Sequence, residues 1–86
     1  MTNEHAKAVK KRWQATAEKH LLGRKIIGIQ WMTDLWQQDM GWDNAAVMLL
    51  LDDGTLLWPS SDDEGNNAGA LFGLQRSGLD FILPVI

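Results

Sequence analysis

The sequence predicts an α+β domain, in which an N-terminal amphipathic helix precedes a small antiparallel sheet of about four strands that can curl like an SH3-type barrel. Three observations support this fold class. Apolar residues recur at helical spacing near the N-terminus, short apolar runs fill the remainder, and an Asp-Gly pair separates two of those runs. With 86 residues the chain has the length of one domain, so we expect residues 1–86 to form a single unit.

The first element is a helix over residues 3–22, because one face is apolar and the opposite face is charged. Its apolar stripe consists of Ala6, Val9, Trp13, Ala17 and Leu21. Gly23 is placed to end the helix in a left-handed conformation. Residues 24–86 are expected to form a β-rich body.

A strand is predicted over residues 24–32, where Gly28 permits a bulge or a close backbone approach. Thr33 then provides a hydroxyl that can cap a short helix over residues 34–40. Gly41 is placed to close that helix.

The next strand covers residues 44–52, and its nearly continuous apolar run predicts burial on both faces. The Asp53-Gly54 pair that follows favours a two-residue type I′ hairpin. That turn would place Leu51 opposite Leu56, Leu50 opposite Leu57 and Leu49 opposite Trp58. The predicted core face would then consist of Leu49, Leu51, Leu56 and Trp58.

The C-terminal third has weaker signals. Pro59 ends the hairpin strand, and residues 60–67 read as a polar loop. Residues 68–74 are expected to form at most a short helical turn. Residues 79–86 close the chain as a strand, and Pro84 favours an edge position for it.

Composition excludes several functional classes. Without cysteine the chain has no disulfides, thiolate metal sites or cysteine nucleophile. Five tryptophans supply large apolar side chains that can compensate for a small core. No apolar run approaches the ~20 residues that span a bilayer, so we expect no membrane partner. The charged N-terminus does not resemble a secretory signal, and we therefore expect a cytoplasmic protein.

Charge is distributed unevenly along the chain. Residues 1–25 contain seven Lys and Arg against two Glu, a net charge of +5, whereas residues 26–86 contain one Arg against nine acidic residues, a net charge of −8. Such a division indicates either a basic arm for an acidic partner or a match between the two segments.

The segment that follows the second strand has a distinctive series of motifs. They are Asp52-Asp53-Gly54-Thr55, Trp58-Pro59-Ser60, Asp62-Asp63-Glu64-Gly65-Asn66 and Gly69-Ala70-Leu71. This series resembles the signature DDGT…PS.DDEGN..GAL of a small uncharacterised bacterial domain family, in which a Gly-Trp pair such as Gly41-Trp42 precedes it. The resemblance covers about residues 24–86 and implies a fold of the kind described above. It brings no function with it.

The acidic loop offers hard oxygen ligands for a divalent cation such as Ca²⁺ or Mg²⁺. The weak candidate ligands are Asp62, Asp63, Glu64 and Asn66. The spacing does not fit an EF-hand, because Ser60 occupies the position that would have to be acidic. A loop whose side chains hydrogen-bond to neighbouring backbone N–H groups is the simpler interpretation.

Catalytic groups are not evident. His5 and His20 are separated by about 22 Å along the predicted helix at 1.5 Å per residue, and neither has an acid–base partner nearby in the sequence. No hydrolase or phosphate-binding motif is present. We therefore expect no catalytic residue, no cofactor and no enzymatic activity.

Three binding functions remain. Divalent-cation binding at the Asp62–Asn67 loop is the last of them, and the leading one is a protein-interaction or self-association module. Its expected surface combines Trp36 and Trp42 with Asp62, Asp63 and Glu64, since tryptophan is enriched at interface hot spots. The alternative is a nucleic-acid-associated accessory protein that uses the basic helix. The residues for that alternative are Lys7, Lys10, Lys11 and Arg12.

Overall fold

The computed structural model describes residues 3–60 and 69–86, and it confirms the α+β fold class. The described elements are α1 (Asn3–Leu21), β1 (Ile26–Trp31), α2 (Asp34–Met40), β2 (Val47–Leu51), β3 (Leu56–Pro59), β4 (Leu71–Leu74) and β5 (Asp80–Leu83). The strands follow the sequence order β1-β2-β3-β4-β5, and each pairs antiparallel with the next. The sheet therefore has five strands where about four were predicted. Over the described residues it is open, with β1 and β5 at its edges.

Local capping signals determine where the helices end. Gly23, just after α1, has a φ of +77°, in the left-handed region that glycine reaches without steric cost. The Thr33 hydroxyl oxygen accepts a hydrogen bond of 3.2 Å from the Trp36 N–H, so Thr33 caps α2 as predicted. Gly41 has a φ of +73° and donates its N–H to the Gln38 carbonyl at 3.0 Å.

The predicted helical turn over residues 68–74 is wrong, because Leu71–Leu74 forms strand β4. This strand pairs with β3 on one side and β5 on the other, so its backbone hydrogen bonds are made in both directions. Two-sided pairing outweighs the weak local propensity of the segment. The final strand is also shorter than predicted, since β5 ends at Leu83.

The predicted type I′ hairpin is also wrong. Leu49 faces Leu57 and Leu50 faces Leu56, a register shifted by one residue from the predicted one. None of the described non-glycine residues has a positive φ, whereas Gly54 has +87°. The turn is therefore a three-residue loop with its left-handed residue at Gly54, of the kind that forms a G1 bulge.

The shifted register moves Leu56 and Trp58 to the opposite face from Leu49 and Leu51. Because directly paired residues share a face, the strand register defines both sides of the sheet. Face A contains Ile29, Trp31, Val47, Leu49, Leu57, Leu71, Gly73, Phe81 and Leu83. Face B contains Gln30, Met48, Leu50, Leu56, Trp58, Phe72, Leu74 and Ile82.

The largest cluster of buried apolar side chains lies on face B. Met32, Met48 and Trp58 are buried there, and Trp36 and Met40 of α2 pack against them. The Trp36 ring meets the Trp58 ring edge-on at 5.4 Å between centroids. The short helix α2 is thus the lid of this face.

Face A has its own buried residues near the β2–β3 turn, where Leu51, Thr55 and Leu57 are inaccessible to solvent. Farther along, the Phe81 ring covers Gly73. The His20 imidazole of α1 stacks on Phe81 at 3.9 Å with an interplanar angle of 9°. Within residues 3–60 and 69–86, β5 is the only strand that α1 contacts.

Candidate interaction surface

Within residues 3–60 and 69–86, no strand pairs with the outer side of β1, whose backbone groups face away from the sheet. Met32 donates its N–H to the Ala46 carbonyl at 2.9 Å, which fixes the hydrogen-bonding phase along the β1–β2 ladder. Since hydrogen-bonded and non-hydrogen-bonded residue pairs alternate along an antiparallel ladder, the backbone N–H and C=O of Gln30 also point toward β2. Ile29 and Trp31 therefore direct their N–H and C=O groups away from β2, toward the open edge.

Large apolar side chains accompany those backbone groups. The exposed fractions are 63% for Ile27, 68% for Ile29 and 67% for Trp31. Ile29 and Trp31 both lie on face A. We call these three side chains, with the outward backbone groups of residues 29 and 31, the β1 edge surface.

Strand β1 has few of the features that usually protect a sheet edge from association. Its sequence, IIGIQW, contains no charged residue and no proline. The register shifts between Ile26 and Gly28, which agrees with the first of the two roles considered for Gly28, a bulge, and limits the regular edge to residues 28–31. The regular part is also the part with the most exposed apolar surface.

At the opposite edge of the sheet two residues discourage strand pairing, and α1 packs on the face A side of β5. Asp80 places a carboxylate at the start of β5, and Pro84 follows directly after its end. Helix α1 lies against β5, where Trp13 and Ala17 line a small groove with Leu83 and Pro84. The two edges of one sheet thus differ sharply in their readiness to pair with another strand.

A larger groove of about 690 Å³ adjoins the β1 edge surface at the end of the strand. Its walls include Trp31, Trp42 and Val47, and Pro59 and Ser60 form another part of its lining. The structure thus brings the predicted residue Trp42 close to the base of the acidic loop.

The two predicted tryptophans differ in their availability to a partner. Trp36 is half-buried against Trp58, so its ring serves mainly to hold α2 on face B. Trp42 is also half-buried and stacks on Phe72 at 6.3 Å, but its remaining surface lines the groove. Trp31, which the sequence did not single out, is the more exposed ring. Asp62, Asp63, Glu64 and Asn66 lie outside the described residues, so their cation-binding and partner-binding roles stay predictions.

The basic residues predicted for nucleic acid lie on the exposed surface of α1. Lys7, Lys10, Lys11 and Arg12 are all exposed. The Arg12 guanidinium lies 5.9 Å from the Trp13 ring centroid, within cation–π range. Trp13 itself is half-buried beside β5, which limits the ring surface left for a base.

Charged groups near the β2–β3 turn have a structural role. The Asp53 carboxylate accepts a hydrogen bond of 3.0 Å from the Thr55 N–H and lies 3.4 Å from the Arg24 guanidinium. Hydrogen bonds from Thr55, aided by the positive charge of Arg24, lower the pKa of Asp53. In the part of the chain that the structure covers, no group of three or more His, Asp or Glu residues could hold a metal ion.

A sequence signal for the β1 edge was present but incomplete. The strand itself was predicted, and its lack of charge was visible, yet nothing in the residues identified it as an edge rather than a central strand.

Among residues 3–60 and 69–86, neither helix combines the length and the apolar composition that a membrane-spanning helix requires. Comparison with known proteins finds no matching family model, no matching curated protein and no matching solved structure, so the family resemblance of residues 52–71 stays a prediction.

Proposed function

We propose that this protein is a non-enzymatic protein-interaction module that binds an extended strand of a partner along the β1 edge surface. The observation that carries the proposal is that β1 lies at an open edge with Ile29 and Trp31 exposed. Strand addition supplies main-chain hydrogen bonds for affinity, and alternate side chains supply specificity. Here the alternate side chains on face A are a β-branched residue and a tryptophan, both of which favour cross-strand packing.

The groove beside Trp31 extends this surface. A strand paired with β1 would run past the groove entrance, so a partner side chain can reach the wall formed by Trp42 and Val47. Apolar walls with a few polar groups are typical of such side-chain pockets. Asp43 and Asn44 supply polar groups at this site.

Photo-cross-linking in cells that produce the full chain tests the proposal. A benzoyl-phenylalanine replaces Ile29 in one variant and Leu79 in the other, because both side chains are about two-thirds exposed but only Ile29 lies on β1. We expect adducts from position 29 in clear excess over those from position 79. Equal yields, or none from position 29, would contradict the proposal.

Nucleic-acid binding by α1 is the second candidate, and the exposed side chains of Lys7, Lys10, Lys11 and Arg12 on that helix favour it. Because phosphate contacts release counterions, affinity for single-stranded DNA would fall with salt at a slope of about −0.7 per contact. The double substitution Lys10→Glu and Lys11→Glu should then abolish binding, whereas Arg76→Glu, outside the helix, should change it little. Retention that is insensitive to salt would exclude this candidate.

A further inference from the structure

We infer that the strand that binds the β1 edge surface is β1 of a second copy of this chain, antiparallel, with Ile29 of each copy opposite Trp31 of the other. The inference rests on the proposed function and names its partner. It depends on three features of β1: the direction of its free backbone groups, the faces of its side chains and the charges at its two ends.

The backbone geometry suits a two-fold arrangement. Ile29 and Trp31 are the residues whose N–H and C=O groups point outward. When Ile29 of one copy faces Trp31 of the other, each of these two pairs exchanges two hydrogen bonds, and four bonds form in total. The symmetry axis then passes between the two copies of Gln30, which form a non-hydrogen-bonded pair.

The side chains select this register over its neighbour. Opposite residues must share a face, so the pairing can shift only by two residues at a time. Each such shift moves the symmetry axis, on which the register is centred, by one residue along β1. A register centred on Ile29 would use Ile27, which lies in the bulge where the ladder is irregular. A register centred on Gln30 uses only the regular segment and places an isoleucine against a tryptophan twice on face A.

The charges at the ends of β1 favour an antiparallel copy. Lys25 precedes the strand, and Asp34 is the third residue after its end. Arg24 at the same end is already paired with Asp53, so the complementary charges are those of Lys25 and Asp34. Antiparallel pairing brings Lys25 of one copy toward Asp34 of the other at both ends of the interface. Parallel pairing would align like charges.

Closure of the assembly follows from the difference between the two edges. A contact between β1 and β5 would be heterologous and could extend into a filament. Asp80 and Pro84 oppose strand addition at β5, whereas the β1–β1 contact is isologous and stops at two copies. Because the regular edge is only four residues long, the interface is small, and such interfaces are weak and concentration-dependent.

The solution mass of the full chain is the first test. We expect a value that approaches twice 9.7 kDa as the concentration rises through the micromolar range. Ile29→Lys should raise the dissociation constant about tenfold or more, since it removes both Ile–Trp pairs at once. Leu79→Lys is the matched control, because Leu79 is equally exposed but lies in the β4–β5 turn, and it should leave the mass unchanged.

Engineered cysteines then test the register, in a chain that has no other cysteine. Two copies of residue 30 would have Cα atoms about 4.5 Å apart, within the range that a disulfide bridges. Residue 29 would be offset diagonally from its own copy by about 7–8 Å, which is too far. Gln30→Cys should therefore form a covalent dimer at least about tenfold faster than Ile29→Cys.

The outcomes separate the inference from the proposed function. A mass of 9.7 kDa at every concentration, or a doubled mass that Ile29→Lys does not lower, would overturn the inference. Faster cross-linking through Ile29→Cys would overturn the register. If adducts from position 29 contain a different protein and the purified chain stays monomeric, the inference fails while the proposed function stands. If position 29 gives no adduct, both fail.

Discussion

The contact between Gly73 and Phe81 offers a quantitative test of how α1 is attached to the sheet. A Cβ added at Gly73 would lie 2.5 Å from Cε1 and 2.6 Å from Cε2 of Phe81, and closer still to Cζ. Real Cβ atoms essentially never come within 3.0 Å of another heavy atom in this way. The ring would have to swing aside, and His20, which stacks on it at 3.9 Å, would lose its contact.

The cost of Gly73→Ala can be assembled from two contributions. Overpacking of a filled site costs about 1–3 kcal/mol. Loss of an aromatic stack costs about 0.5–1.5 kcal/mol. We therefore expect about 1.5–4.5 kcal/mol, which is a large fraction of the ~4–13 kcal/mol total stability of an 86-residue domain. Since each kcal/mol lowers the Tm by about 4–8 °C in a domain of this size, the shift is easily measured.

Urea unfolding followed by tryptophan fluorescence is the assay, and Gly28→Ala is the matched control. Gly28 also lies in a strand, but its added Cβ would meet Leu50 at 3.4 Å, an ordinary contact. We expect this control to change stability by less than about 1 kcal/mol. In a Phe81→Ala background, Gly73→Ala should cost little, because the clash is gone. Equal losses for Gly73→Ala and Gly28→Ala, or an undiminished loss in the Phe81→Ala background, would refute the argument.

Three further predictions concern the turn and the helix. Asp53→Asn should destabilise the fold at neutral pH. The pKa of Asp53 is lowered in the folded state, so its stabilising contribution is present above the unfolded pKa of about 3.9 and is lost as the pH falls through the folded pKa. The difference in Tm between wild type and Asp53→Asn should therefore shrink as the pH is lowered toward about 2. Gly54→Ala should lower the Tm, since a residue with a β-carbon is strained at a φ of +87°, and a Tm equal to wild type would contradict the turn geometry. His20→Ala should cost about 0.5–1.5 kcal/mol in urea unfolding by removing the stack on Phe81, and an unchanged midpoint would show that the stack contributes nothing.

Features encoded within a few residues were predictable from the sequence. The hydroxyl of Thr33 and the missing side chain of Gly41 act on backbone groups of their own helix, so both caps were found. The helix over residues 3–22 agrees with α1 to within one residue, because the period of its apolar stripe is a property of the helix alone.

Features that depend on distant pairing were not predictable in the same way. The Asp-Gly pair is compatible with both a two-residue and a three-residue loop, and the difference of one residue reverses every side chain of β3. Here the three-residue loop places Leu57 on face A opposite Leu49 and lets Trp58 join the core of face B. The choice follows from packing on both faces, which the local residues do not contain. Strand β4 was missed for the same reason, since its hydrogen bonds come from both β3 and β5.

The edge position of β1 also depends on how distant strands pair, and its consequence is an apolar strand with one exposed side. An apolar strand such as IIGIQW is ordinary at the centre of a sheet, where both neighbours occupy its backbone groups. The meander topology places it at an edge instead, and the chain then leaves through Met32, which is buried beneath α2. A sequence suited to a central strand is thus held at an edge. Water can satisfy the outward backbone groups of Ile29 and Trp31, so what a sixth strand would add is burial of the apolar side chains beside them.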